Sequence, residues 1–265
     1  MRSPVQIRAP RLQSPHHLLY YEGRDGADLA YRELGEGRPI VLLHGYIVGA
    51  DATWIDSGIA ARLAEDGRRV ILPDLRAHGA SARSHDPAAY PPDALTDDGL
   101  ALVEHLGLAD YDLGGYSVGG RIVARMLVRG ARPGRAFIGG TGLEPIVHAA
   151  GRGESYRGLL ADYAAGTLDP GPAAPWDFVA YLRSVDADPV ALTLLLDTFV
   201  DTPLAELEAT ETPTLVLAGE EEDRGSVDAL AAALPGSILR RVPGGHGTAH
   251  LSPEFAAELL TFLRP

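Results

Sequence analysis

The sequence contains no cysteine and no lysine. Without cysteine there is no disulfide framework, no thiolate nucleophile and no cysteine-based metal site. Without lysine, all 23 basic residues are arginine; with the many Ala, Gly and Pro this reflects a GC-rich genome rather than a function. Apolar runs are short everywhere, and none reaches the roughly 18 residues needed to span a bilayer. Positive charge is outweighed: the formal net charge is −13, which argues against nucleic acid or an anionic membrane as partner. A small-molecule substrate and a cytoplasmic location are the expectations that remain. Oligomeric state is left open, a homo-oligomer included. What is present is ordinary for a globular protein, 265 residues with 46% hydrophobic and 22% charged. That length suits one large α/β domain with an insertion.

Met1 to His17 is basic and carries Pro4, Pro10 and Pro15. It lacks the apolar core of a secretory signal. Arg2, Arg8 and Arg11 with Ser3 and Ser14 give it a faint transit-peptide composition, but the prolines spoil an amphipathic helix. Residues 1–17 are therefore expected to be a disordered or loosely attached extension.

Beyond it, hydrophobic patterning sets the order of elements. Leu18–Glu22 and Ala27–Leu34 flank Gly23-Arg24-Asp25-Gly26, a hairpin signal with turn chemistry at its centre. A continuous apolar run at Pro39–Leu43 fits a strand buried on both faces; Arg69–Leu72 and Ala136–Gly139 read as further buried strands, Tyr111–Gly114 leads into a serine turn, and Pro213–Ala218 and Ser237–Val242 read as the remaining strands. Helical patterns alternate with them, at Ile55–Asp66, Asp93–Leu106, Arg121–Arg129, Ser226–Leu234 and Pro253–Leu263. The last has Ser252 as N-cap and Pro253 at its first position. From Thr141 to about Thr210 the alternation breaks into helical patterns at Tyr156–Ala165, Asp177–Ser184 and Pro189–Asp201. The fold class expected is α/β, a mainly parallel, doubly wound sheet of about eight strands flanked by helices. Residues 18–140 and 211–265 form the core domain and 141–210 a helical insertion above the strand ends.

Chemistry in an open α/β sheet gathers at the carboxyl ends of its strands. His44-Gly45-Tyr46 follows the first buried strand and Asp74 the second. Gly115-Tyr116-Ser117-Val118-Gly119 lies between a strand and a helix, the context of a sharp turn that projects a serine above the sheet. Its flanking glycines allow strand and helix to approach closely. A G-x-S-x-G pattern alone is weak in a chain with 31 glycines. Its weight comes from Glu220-Glu221-Glu222-Asp223 and Gly244-Gly245-His246-Gly247 after later strands, which complete the order serine, acid, histidine.

With these motifs the sequence resembles the α/β-hydrolase fold superfamily, of the type with a helical cap. The resemblance covers about residues 18–265 and rests on His44-Gly45, on Asp74 to Ser81, on Gly115 to Gly119 and on Pro243-Gly244-Gly245-His246. Ala77 departs from the pattern, which usually has glycine there; a slightly altered turn is expected. The resemblance implies a serine hydrolase, with Ser117 as nucleophile and His246 as base. The acid is Asp223 by its likeness to an acid loop entering a helix, with Glu222, favoured by family spacing, as the alternative. Amides of Tyr46 and Val118 would form the oxyanion hole. His44 and His78 are assigned to bracing loops, and His250 is the rival base. His85, His105 and His148 lack strand-end context and read as surface residues. Tyr116 could face the pocket or pack behind it. Trp176, Phe178, Tyr181 and Phe199 suggest a mostly apolar pocket under the cap. No metal or organic cofactor is implied.

The expected reaction is hydrolysis of a small or medium apolar carboxylic ester through an acyl-enzyme. A serine at this position excludes relatives that use a carboxylate nucleophile, the haloalkane dehalogenases and epoxide hydrolases. The same triad also serves C–C bond, lactone and perhydrolase chemistry, and the fold hosts cofactor-free oxygenases. A non-catalytic ligand-binding protein is the reading from a different class; the intact order of the three residues weighs against it.

Overall fold

A computed structural model describes residues 17–168 and 178–264. The expected extension, apart from His17, and Trp176 lie outside the described residues. Of Phe178 only the backbone is described.

The strands are β1 (Leu19–Glu22), β2 (Asp28–Leu34), β3 (Arg38–Leu43), β4 (Arg68–Pro73), β5 (Asp112–Tyr116), β6 (Ala136–Gly139), β7 (Thr214–Gly219) and β8 (Ile238–Val242). They form one eight-stranded sheet in the order β1-β2-β4-β3-β5-β6-β7-β8. β1 and β2 pair antiparallel, as the hairpin signal predicts, and β2 runs antiparallel to β4. From β4 to β8 every pairing is parallel.

Between these strands lie α1 (Ile59–Glu65), α2 (Ala94–His105), α3 (Val118–Val128), α4 (Leu143–Val147), α5 (Glu154–Ala165), α6 (Phe178–Ser184), α7 (Pro189–Leu195), α8 (Leu204–Glu208), α9 (Arg224–Ala233) and α10 (Pro253–Leu263). Five of these, α4 to α8, fall in the stretch between β6 and β7. The helix expected over Ile55–Asp66 is split into a π-helical turn at Asp51–Ile55 and α1, because Gly58 between them takes φ 77°. The pattern over Pro189–Asp201 stops as an α-helix at Leu195 and tightens into a 3₁₀ turn at Leu196–Thr198.

Strand side chains alternate between two cores, as a period of two requires. Ile40, Leu42, Val70, Leu72, Phe137, Leu215 and Leu217 pack with Ile59 and Leu63 of α1 and Phe255, Leu259 and Leu263 of α10. Val41, Leu43, Ile71, Leu113, Ile138 and Val216 face the other way, onto Leu102 of α2, Ile122 and Met126 of α3 and Leu230 of α9. Both faces are covered, which explains why these strands read as unbroken apolar runs. The strand order turns about β3: the chain passes to β4 on one side, then returns to β5 on the other. Loops leaving β3 and β5 therefore diverge and open a crevice at their carboxyl ends.

Candidate active site

β5 runs to Tyr116, one residue short of the serine. Ser117 then takes φ 58° and ψ −117°, and α3 begins at Val118. A serine in this region is strained by about 1–3 kcal/mol, so its surroundings must hold it. The Ser117 N–H donates to the Gly139 carbonyl of β6 (2.8 Å), and its carbonyl accepts from Arg121 N–H (3.2 Å). The glycines are required by close packing. A Cβ on Gly115 would overlap the Gly119 carbonyl, and one on Gly119 would overlap the Leu43 carbonyl of β3.

His246 arrives on the loop after β8. Its Nε2 lies 3.0 Å from Ser117 Oγ, and its Nδ1 lies 2.9 Å from Glu222 Oε1. Glu222 is pinned in turn, since Oε2 accepts the Gly219 N–H at the end of β7 (2.8 Å). The ionised carboxylate accepts from Nδ1–H, which leaves Nε2 free to accept the serine proton. The Glu222 side chain is only 9% exposed, against 54% for the imidazole. Asp223, the preferred acid from sequence, does not reach the histidine. It is the N-cap of α9, where Oδ1 accepts from Gly225 N–H (3.0 Å) and Ser226 N–H (3.3 Å). The likeness to a helix entry that favoured Asp223 is the signature of this cap, and capping uses the carboxylate. Glu220 and Glu221 are exposed, as solvated charges should be.

Around the serine, Gly45 runs so close that a Cβ there would stand 3.4 Å from Ser117 Cβ. Neither the Tyr46 nor the Val118 N–H has a protein acceptor among the described residues. Val118 opens α3, so the helix dipole reinforces its amide. The Tyr46 ring is fixed away from the serine: its hydroxyl donates to the Leu192 carbonyl (2.7 Å), and its ring meets the edge of Tyr156 (4.9 Å). Burial raises the Tyr46 pKa, so the phenol stays neutral. Tyr116 packs behind the site. Its hydroxyl donates to the His246 carbonyl (2.7 Å), and its ring lies against His246, His250 and Phe255.

Two further imidazoles lock the loops. His44 Nε2 accepts from Leu75 N–H (2.9 Å) while Nδ1–H donates to the Gly45 carbonyl (2.8 Å). His78 Nε2 accepts from Ile47 N–H (2.9 Å) while Nδ1–H donates to the Arg76 carbonyl (2.9 Å). Each loop thus supplies a histidine that holds the other. Both are buried, and burial lowers both pKa values, that of His78 to about 3. His250 does not contact the serine; it is half-buried beside Tyr116, with desolvation lowering its pKa to about 4. His85, His105 and His148 are exposed. Of the aromatics expected to line a pocket, Tyr181 and Phe199 are packed against the core cluster. Arg121, one turn into α3, stacks its guanidinium on Phe199 (4.3 Å to the ring centroid). In the sequence it reads as one more arginine of an amphipathic helix, and nothing there singles it out.

A family model described as the alpha/beta hydrolase fold matches residues 38–135. A non-heme haloperoxidase from Rhodococcus erythropolis is 42% identical over 108 residues, 40% of this chain and 36% of the relative. A bifunctional esterase/perhydrolase from Acinetobacter calcoaceticus is 34% identical over 112 residues, 42% of this chain and 39% of the relative. The match thus spans well under half the length of these curated relatives. Among solved structures, a bromoperoxidase from Bacillus anthracis superposes with TM-score 0.72 at 24% identity, covering 94% of this chain and 100% of the other. An esterase from Exiguobacterium antarcticum gives TM-score 0.74 at 19% identity, covering 92% and 98%. At these identities the likeness to solved structures is one of fold.

Proposed function

Because residues 38–135 match the alpha/beta hydrolase fold family and the chain has that fold, we propose that it is a serine hydrolase cleaving a small or medium carboxylic ester, with Ser117, His246 and Glu222 as its triad. The observation that carries this reading is the continuous relay of hydrogen bonds from Ser117 Oγ to His246 (3.0 Å) and from His246 to Glu222 (2.9 Å). In this reading Ser117 Oγ attacks the ester carbonyl as His246 Nε2 takes its proton. Glu222 stabilises the imidazolium. The oxyanion is held by the amides of Tyr46 and Val118, each such donor contributing about 2.7–4 kcal/mol. The tetrahedral intermediate collapses, the alcohol leaves with the proton from His246, and the acyl group stays on Ser117. Water then attacks the acyl-enzyme, giving its proton to His246, and the acid is released. Residues 141–210 act as a cap over a core of 18–140 and 211–265.

A second reading shares every step up to the acyl-enzyme. Hydrogen peroxide replaces water as the attacking species, loses a proton to His246 and leaves as a peracid. It is favoured by the names of two relatives, a haloperoxidase and an esterase/perhydrolase. Labelling with a fluorophosphonate probe and mapping the adduct tests the shared step: modification of Ser117 is expected. In parallel, Ser117→Ala and His246→Ala should each lower turnover of a p-nitrophenyl ester by a factor on the order of 10⁶, as in subtilisin. An unlabelled Ser117, or a variant within a few-fold of wild type, refutes the mechanism. Peracid yield in the presence of peroxide separates the two readings.

A further inference from the structure

Arg121 is a cation under the proposed cap with no counter-ion among the described residues. Among the described residues no carboxylate lies within ion-pair distance of its guanidinium. Its Nε is buried without a hydrogen-bond partner, and the one hydrogen bond its guanidinium makes among the described residues, to the Ala149 carbonyl, is long at 3.4 Å. The charge that acts on it most is another cation, Arg152. Burial and that neighbour lower its pKa only to about 10, so it stays charged at neutral pH. Along the same helix, Arg125 and Arg129 both share Asp93. An unpaired charge in such a place costs stability and is weakly hydrated. In a chain of net charge −13 the supply of carboxylates is ample, yet none of the described ones pairs with Arg121.

The position is next to the candidate site. Arg121 N–H bonds to the Ser117 carbonyl across the first turn of α3. Helix side chains lean toward the N-terminus, which here is the serine end. Tyr156, which interacts electrostatically with Arg121, meets the ring of Tyr46, the residue after the glycine that crowds Ser117. Beside the guanidinium is a pocket of about 30 Å³ whose lining includes Arg121, Arg125, Ile146, Ala149 and Phe199, together with Asp93, which is held by Arg125 and Arg129. That is room for one small polar group in a mixed wall, where Thr96, Thr198 and Thr202 also line the space.

We propose that Arg121 is a substrate-recognition residue, and that the ester this protein prefers carries a carboxylate distal to the scissile bond, as in a monoester of an aliphatic dicarboxylic acid. Nε–H and a terminal N–H would form the charge-assisted pair that the protein leaves unmade. The inference rests on the serine-hydrolase reading for its substrate, but not for its binding.

The test compares monoethyl adipate with ethyl hexanoate, and free adipate as a ligand. Wild type is expected to favour the charged ester, and adipate should raise its melting temperature and inhibit hydrolysis of ethyl hexanoate competitively. In R121M the ratio of kcat/KM for the charged over the neutral ester should fall about tenfold or more, the worth of a hydrogen bond to a charged group. R121K should keep an intermediate ratio. R121M should melt no lower than wild type, because it removes an uncompensated charge, and adipate should no longer shift it. An unchanged ester ratio together with a lower melting temperature means that Arg121 only packs the cap on Phe199, which overturns the inference. Adipate binding that depends on Arg121 without turnover of either ester supports the anion site and instead sinks the hydrolase reading.

Discussion

Glu222→Gln keeps the shape of the side chain and removes its charge. Glu222 meets two N–H groups, His246 Nδ1 at 2.9 Å and Gly219 N at 2.8 Å, one with each oxygen. A glutamine has one oxygen for both. If that oxygen stays on Gly219, its NH₂ faces Nδ1 and forces the other tautomer, with the proton on Nε2 where it cannot accept from Ser117. If the oxygen turns to His246, the NH₂ confronts the Gly219 N–H, and a buried donor is left unsatisfied at a cost of about 1–3 kcal/mol. The inactive tautomer is therefore favoured. In a serine protease the equivalent Asp→Asn change lowers kcat about 10⁴-fold. The imidazole is 54% exposed in this chain, so water stabilises part of the imidazolium charge. A loss on the order of 10³ in kcat is expected, roughly 4 kcal/mol of barrier, with KM little changed. Asp223→Ala is the matched control. It removes the cap of α9, about 1 kcal/mol of stability or roughly 2–4 °C in Tm for a chain of this size, and should leave kcat within about twofold. Steady-state kinetics on a p-nitrophenyl ester and thermal melts on both variants decide it. If Asp223→Ala abolishes turnover while Glu222→Gln retains it, the geometric reasoning is wrong.

Ala77 holds φ 67° and is 3% exposed. Replacing it with glycine relieves about 1–2 kcal/mol of strain, but loses a buried methyl worth about 0.8 kcal/mol and about 0.4–1 kcal/mol of unfolded-state entropy. Ala77→Gly should therefore melt within a few degrees of wild type, whereas Ala77→Val, branched at a positive φ, should lose about 3 kcal/mol; equal stability of the two would discount the strain. Acid should weaken the fold through the desolvated histidines. His44, His78 and His250 have pKa values lowered by burial, the latter two to about 3 and about 4. Each takes up a proton more readily unfolded, so stability is fully present above about pH 6.5 and falls on acidification, by up to about 1.4 kcal/mol per pH unit and group, until the folded pKa is reached. Urea midpoints measured from pH 7 to 4 should fall, and His250→Phe should flatten the slope by about one proton; a midpoint independent of pH over that range would contradict the assignment.

How much could be read in advance follows from where the physics is local. The buried strands were legible because a sheet covered on both faces demands unbroken apolar runs, and 39–43 or 136–139 had no other use. α10 was legible to the residue because Ser252 caps it and Pro253 occupies its first position. The meeting of Ser117 and His246 was legible because each is a polar side chain set between glycines near the end of a strand, where packing alone places neither. Which carboxylate reaches His246 was not legible, because Glu222 and Asp223 are adjacent and a tight turn sends them in opposite directions. Only the position of β8 and its loop decides which one faces the imidazole. Arg121 was hidden for a related reason. Its neighbours Ala149 and Phe199 come from the stretch after β6, and no periodicity within α3 reports what folds over it.

These cases separate what the serine motif means for the backbone from what it means for chemistry. Gly115 and Gly119 are dictated by the crowding of β5, α3 and the end of β3, where any Cβ would strike a carbonyl. Gly45 makes the same concession from the loop after β3, against Ser117 itself. Three backbone segments can meet there only because the strand order turns about β3 and leaves a crevice to be filled. The glycines therefore encode a fold that presents a strained residue, and in the proposed mechanism the serine alone carries the acyl transfer. Neither says which acyl group. That discrimination must come from groups that other members of the fold are free to vary, on the cap side of the crevice. Among the described residues Arg121 is a cation beside that crevice without an ion pair, so the ratio of charged to neutral ester turnover is the measurement that tests the proposed substrate class most directly.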